Sequence, residues 1–246
     1  MNRGVVILDG DGTLWRTQEL YDNAKNEFES LLKEHRFHST DIIRLVDKID
    51  ARSVSKQGFS KGRFAKSLLT AYRQLCDAEG IERDSSIELT VKQIGNSVFA
   101  LPKLYEDTEF GLKILKDNYM LVLATKGERS IQNQRIQRLG LRNHFARIYN
   151  LREKTEKEYC MIVSDLGVPV ERLWVIGNSV KSDINPALTV GLRSILIPRE
   201  TWIYEEDTLK PGDVIEAGSL KEAVEIILSR DGLTSILADP SQGDTQ

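Results

Sequence analysis

Short apolar runs alternate along much of this chain with stretches in which apolar residues recur every three or four positions. The runs are Val5 to Leu8, Met120 to Ala124, Leu173 to Ile176 and Ser194 to Ile197, with Ala146 to Leu151 a weaker fifth. The periodic stretches are Thr108 to Asp117, Glu128 to Leu139, Glu156 to Leu166 and Ser182 to Val190. A strand buried on both faces is apolar along its whole length. Strand–helix alternation builds a parallel sheet covered by helices. The pattern therefore predicts an α/β, Rossmann-like parallel sheet core with helices on both faces.

The segment from Arg16 to Ala100 breaks the alternation and reads as helix after helix. Gln18 to Lys33 is long and amphipathic. Asp41 to Ile49 follows, with Ser39 and Thr40 as candidate caps, then Lys61 to Ala78 and Ser86 to Ala100. This predicts a small all-helical unit, 16–100, inserted into a core made of 1–15 and 101–230. Pro102 marks the return. The polar, Gly/Pro-bearing stretch from Asp231 to Gln246 is expected to be a flexible tail.

A chain of 246 residues, 40% hydrophobic, is long enough for such a core with an insert. The net charge of −3 gives no basic excess, so a nucleic-acid polymer is not an expected partner. The apolar runs are too short to span a bilayer, and the opening residues lack the order of a secretory signal. Cys76 and Cys160 stand alone, which suggests neither a disulfide framework nor a thiolate zinc site. A cytoplasmic protein with free thiols is expected. His35, His38 and His144 lie away from every motif below and receive no catalytic role.

Three predicted strands run straight into polar residues: Asp9-Gly10-Asp11-Gly12-Thr13, Thr125-Lys126-Gly127, and Gly177-Asn178 through Asp183. Ligands of open parallel sheets bind outside the carboxyl ends of the strands, so these clusters should converge on one pocket. Asp9 and Asp11, two residues apart on extended chain, point the same way. Their repulsion is relieved by a cation or a proton. Gly10 and Gly12 allow tight turning and close approach to an anion. Thr125 can donate to a phosphate oxygen, whereas Lys126 reads as solvated. Asn178 and Asp183 can offer oxygen to a hard cation, or form a turn and a helix cap. The capping-box pattern from Thr155 to Glu158 starts a helix near Glu156. It leaves Lys154 in the preceding loop, with Lys157 the weaker candidate.

In this order the four pieces resemble the haloacid dehalogenase superfamily, which consists largely of phosphatases. The family's Asp-x-Asp-x-Thr is matched by Asp9 to Thr13, its Thr or Ser by Thr125, its Lys by Lys154, and its acidic motif in part by Gly177 to Asp183. Many relatives carry Asp where this chain has Asn178. The resemblance implies a Mg²⁺-dependent phosphatase acting through an aspartyl-phosphate. Asp9 would be the nucleophile and Asp11 the general acid and base, with Thr125 and Lys154 stabilising the transferring phosphoryl. Mg²⁺ would sit among Asp9, Asp11 (through its main-chain carbonyl), Asn178 and Asp183. The helical insert resembles the family's cap, which closes over substrate.

Acid catalysis by Asp11 requires a raised pKa. Gly10, Lys126 and Gly127 are further candidates for substrate contact. So are Lys61 and Arg63, in a basic, aromatic stretch from Lys56 to Phe64 that can read an acidic leaving group or simply be a solvated loop. Trp15 either lines the pocket or packs the hinge. The expected partner is a small phosphorylated metabolite. Rival readings are a 2-haloacid dehalogenase or phosphonate hydrolase on the same fold, a phospho-accepting signalling domain, and a non-catalytic phospho-ligand-binding relative. Asp11 argues against dehalogenase and phosphonate chemistry, the large helical insert against a signalling domain.

Overall fold

A computed structural model of the chain describes residues 3–199, 205 and 207–233. Six strands form one parallel sheet: β1 (Val5–Leu8), β2 (Met120–Lys126), β3 (Arg147–Leu151), β4 (Leu173–Gly177), β5 (Arg193–Leu196) and β6 (Val214–Glu216). Their order is β3-β2-β1-β4-β5-β6. β1 is central, with Leu8 in register with Leu123 of β2 and Ile176 of β4. The order reverses between β1 and β4, and the crevice at such a reversal is where these sheets bind ligands.

β1 is buried throughout because its two faces feed two cores. Val6 and Leu8 pack with α5 (Thr108–Asn118) and α9 (Leu220–Arg230). Val5 and Ile7 pack with α7 (Glu156–Leu166) and α8 (Asn185–Thr189). α6 (Arg129–Arg138) joins the first face through Ile136.

Residues 18–96 form α1 (Gln18–Glu34), α2 (Ile42–Gln57), α3 (Arg63–Glu79) and α4 (Ser85–Asn96). These helices surround a separate core that includes Phe28, Val46, Leu68, Tyr72 and Val91. The chain enters and leaves this unit through one neck. There Arg16 N–H donates to Lys103 O at 2.8 Å and Tyr105 N–H donates to Leu14 O at 3.1 Å.

Several element boundaries depart from the hydrophobic pattern. α2 continues eight residues past Ile49, because the core-facing position after Val46 is Asp50, a carboxylate that breaks the apolar periodicity. Asp50 is buried against Arg63, and Gly58, at φ +62°, ends the helix. Ser39 and Thr40 do not cap α2; Asp41 holds that position, and Ser39 bonds Glu79 instead. The stretch Lys56 to Phe64 is therefore a loop only at its centre, its ends belonging to α2 and α3. Residues 182–190 are not one regular helix: a π-helical turn, Val180–Ile184, precedes α8. β6 and α9 extend the sheet and its cover beyond the patterned runs. The first residues of the stretch 231–246, expected to be a flexible tail, pack on the core. Asp231 accepts from Tyr119 and Arg193, Leu233 is buried, and residues 234–246 lie outside the described residues. Among the described residues no helix is long and apolar enough to cross a membrane.

Candidate active site

A cavity of about 180 Å³ opens over the carboxyl ends of β1, β2 and β4 and is roofed by the helical insert. Asp9, Asp11, Lys154, Asn178 and Asp183 all line it. The three separated sequence clusters meet there.

Asp9 follows β1 and is held by its own N–H, which donates to Ile176 O at 2.9 Å. Its Oδ2 accepts from the Thr13 hydroxyl at 3.1 Å. Its Oδ1 accepts from Lys154 Nζ, which also donates to Asp183 Oδ1 at 2.5 Å. All three groups are at most 7% exposed. Burial pushes Asp9 up most; Lys154 opposes it, Asp183 and Asp11 add repulsion, and the result is about 7. Burial alone would push Lys154 down, but Asp183 and Asp9 carry it well above its ordinary value. Lys157 is exposed, so the lysine of this site is Lys154.

Asp11 is placed differently from expectation. Its Oδ1 accepts from Thr17 at 2.5 Å, Trp15 Nε1 at 2.8 Å and Arg135 Nη1 at 2.9 Å. Its Oδ2 accepts from Gln132 Nε2 at 2.5 Å and Thr125 Oγ1 at 3.4 Å. Burial favours the neutral acid, but Arg135 first, then Thr17, Trp15 and Gln132, outweigh it and lower the pKa. The raised value that acid catalysis requires is thus absent in this arrangement. The carboxylate is also turned to these donors, which leaves only the main-chain carbonyl of Asp11 for an ion.

Thr125 is fully buried and bonded to Asp11 rather than lining the cavity. Gly10 does not line it either. A Cβ there would lie 2.3 Å from the Trp15 ring, so the glycine is what lets that indole pack over the strand end. The cavity-lining glycine of this motif is Gly12, at φ +85°, where a Cβ would lie 2.5 Å from Asn178 Nδ2. Lys126 is not solvated: it donates to Glu205 Oε1 at 2.5 Å and Ser182 Oγ at 2.8 Å, 4.6 Å from the Phe59 ring centre. Gly127 lines the cavity. Lys61 does not; it is exposed and its N–H donates to Glu128 at 3.2 Å. Arg63 lines the roof but is buried in an ion pair with Asp50.

The groups at this site that could hold Mg²⁺ are hard oxygens: the carboxylates of Asp9 and Asp183, the Asn178 amide and the main-chain carbonyl of Asp11, all on residues that line the cavity. Among the described residues no three acidic, His or Cys side chains form a ready cage. That suits an ion that keeps water and phosphate oxygens among its ligands. The charge balance also suits it. Asp9 and Asp183 share Lys154 and Asp11 pairs with Arg135, so three carboxylates meet two cations in these contacts, and a divalent ion would offset the excess.

Arg135 and Gln132 are the main site residues that the sequence pattern missed. They lie on α6, whose sequence RSIQNQRIQR carries only two apolar residues. The available signal was a helix beside a sheet with few apolar residues to bury: a helix that packs there brings polar side chains inward, and these need partners. Arg135 Nη2 also donates to Val98 O of the insert at 2.9 Å.

Residues 4–191 match the family model described as haloacid dehalogenase-like hydrolase. No curated protein matches the chain. Among solved structures it is similar to a haloacid dehalogenase-like family hydrolase from Xanthomonas campestris, at 22% identity over 95% of this chain and 94% of the other, with a TM-score of 0.77. It is similar to YfnB from Bacillus subtilis in a form bound to magnesium, at 17% identity, 93% and 100% coverage and TM-score 0.64. It is also similar to L-2-haloacid dehalogenase from Xanthobacter autotrophicus, at 14% identity, 92% and 98% coverage and TM-score 0.61.

Proposed function

Because the chain belongs to the haloacid dehalogenase-like hydrolase family, we propose that it hydrolyses small phosphomonoesters, with Asp9 as nucleophile and Mg²⁺ as cofactor. The observation that carries this reading is Asp11. Displacing halide from carbon needs no proton donor, whereas releasing an alkoxide from phosphorus does. A second carboxylate two residues from the nucleophile supplies a proton carrier. The similarity to a magnesium-bound relative supports the choice of ion.

Asp9, Asp183, Asn178 and the Asp11 carbonyl would hold the ion, which when bound offsets charge on Asp9 and on the phosphoryl oxygens. Thr13 and Lys154 fix the Asp9 carboxylate through its two oxygens. Attack by Asp9 forms the aspartyl-phosphate and breaks the bond to the leaving oxygen, which takes its proton from Asp11. Asp11 must gain that proton first, and release from Arg135 raises its pKa in the required direction. In the second step the ionised Asp11 takes a proton from the attacking water. Lys154 offsets charge on the transferring group, and losing such a group costs about 10²–10³ in rate.

The ion pair of Asp11 with Arg135 favours a second reading, dehalogenation of 2-haloacids. A carboxylate locked in its charged form is a poor acid, and a C–halogen displacement asks for none. The two readings separate in one experiment. Phosphorylated metabolites and 2-chloropropionate are incubated with the enzyme and Mg²⁺, beside EDTA and Asp9→Asn controls. Phosphate release that vanishes in both controls supports the phosphatase. Chloride release without phosphate release would replace it with the dehalogenase.

A further inference from the structure

One wall of the cavity belongs to the insert, and aromatic rings are prominent on it. Four rings form it: Tyr21 from α1, Phe59 from the loop after α2, Phe64 from α3 and Phe99 from the turn after α4. Tyr21 and Phe64 meet edge to face at 4.9 Å. The charged groups on this wall are Lys25, Asp47, Asp50 and Arg63, two cations and two carboxylates. They neutralise one another: Lys25 lies 3.3 Å from Asp47, and Arg63 is buried on Asp50. With side chains only 3% and 4% exposed, the Arg63–Asp50 pair is sealed from water. A carboxylate on the ligand would meet the Asp50 carboxylate together with the Arg63 guanidinium, so the attraction of the one is offset by the repulsion of the other.

We infer that the leaving group is a planar, uncharged ring, so that the substrate class is an aromatic phosphomonoester. This identification rests on the phosphatase reading above. The phosphate end lies at Asp9 and Lys154, and the ring fills the space bounded by Phe59, Tyr21, Phe64 and Phe99. Arg63, expected from sequence to read an acidic group, is instead neutralised by Asp50. Its guanidinium lies 5.6 Å from the Phe59 ring centre and buttresses that ring.

The test pairs binding with turnover, on the full chain with Mg²⁺. Calorimetry compares phenylphosphonate with phosphonoacetate, two non-ester probes that differ in ring against carboxylate. Turnover compares phenyl phosphate with phosphoglycolate, and acetyl phosphate reports the chemistry without a ring. Phenylphosphonate should bind at least about tenfold tighter, the scale of one or two well-placed aromatic contacts. Phenyl phosphate should exceed phosphoglycolate in kcat/KM by a similar factor. Phe59→Leu should lower the ratio of phenyl phosphate to acetyl phosphate turnover. Asp50→Asn, which leaves the Arg63 charge facing the cavity, should shift the binding ratio toward phosphonoacetate. Should that variant fail to fold, the wild-type comparison still decides. Equal or tighter binding of phosphonoacetate by the wild type overturns the inference. Ring preference in binding, with no turnover of any phosphate, supports the ring site and overturns the phosphatase reading alone.

Discussion

Arg135 donates one nitrogen to Asp11 at 2.9 Å and another to the Val98 carbonyl of the insert, also at 2.9 Å. One guanidinium thus joins the acid of the β1 motif to the helical unit above it. Removing only the cation leaves a partly buried carboxylate without its charge partner, which costs more than removing both. In a double-mutant cycle, Arg135→Gln with Asp11→Asn should therefore show a coupling of about 0.5–3 kcal/mol. Urea denaturation of the four proteins measures it. Additive losses would show that the pair contributes nothing of its own.

Asp9 keeps its proton in the folded chain up to about pH 7, against an ordinary value of 3.8. Between those values the folded state binds more protons than the unfolded one, so stability falls as pH rises through that window. In magnesium-free buffer the urea midpoint of the wild type should drop between about pH 4.5 and about pH 7.5, relative to Asp9→Asn, which cannot titrate there. Added Mg²⁺ should flatten the difference. Parallel pH profiles for the two proteins would contradict the raised value.

Lys154 is the cation between Asp9 and Asp183, and its loss leaves two buried carboxylates facing each other. Lys154→Met should destabilise the fold by about 3–5 kcal/mol at neutral pH, the cost of breaking a buried pair. It should also lower kcat by about 10²–10³. Because the penalty comes from charge, it should shrink in acid as the carboxylates take up protons. Thermal unfolding across pH tests this; a penalty that does not change with pH would assign it to lost packing instead.

Gly12→Ala places a Cβ where backbone geometry disfavours one and 2.5 Å from Asn178 Nδ2. Asn178 must move, and its contact with the Thr13 hydroxyl, now 3.3 Å, goes with it. The substitution should cost about 1–3 kcal/mol in stability. It should also raise the Mg²⁺ concentration needed for half-maximal turnover. Unchanged magnesium dependence would argue that Asn178 does not serve the ion.

The sheet was largely legible because buried parallel strands announce themselves as unbroken apolar runs, as from Val5 to Leu8. Asp9, Asp11, Asn178 and Asp183 were legible for a related reason, being charged or amide residues where such runs stop. What the pattern hid were polar groups doing core work. Asp50 interrupted the periodicity of α2 while facing inward, and Gln132 and Arg135 shared the buried side of α6 with Ile136, where the apolar periodicity gave no sign of them. The protonation state of Asp11 could not be read locally, since the charge that most opposes its burial, Arg135, lies 124 residues away. Lys126 looked solvated because its partner Glu205 lies 79 residues away.

Trp15 serves two masters. Its backbone bridges to Leu104 where the polypeptide leaves and re-enters the sheet, and its indole nitrogen grips Asp11. A swing of the helical unit about that junction therefore tugs at the acid directly. Occupancy above and proton inventory below are thus geared together through Trp15 as well as through Arg135.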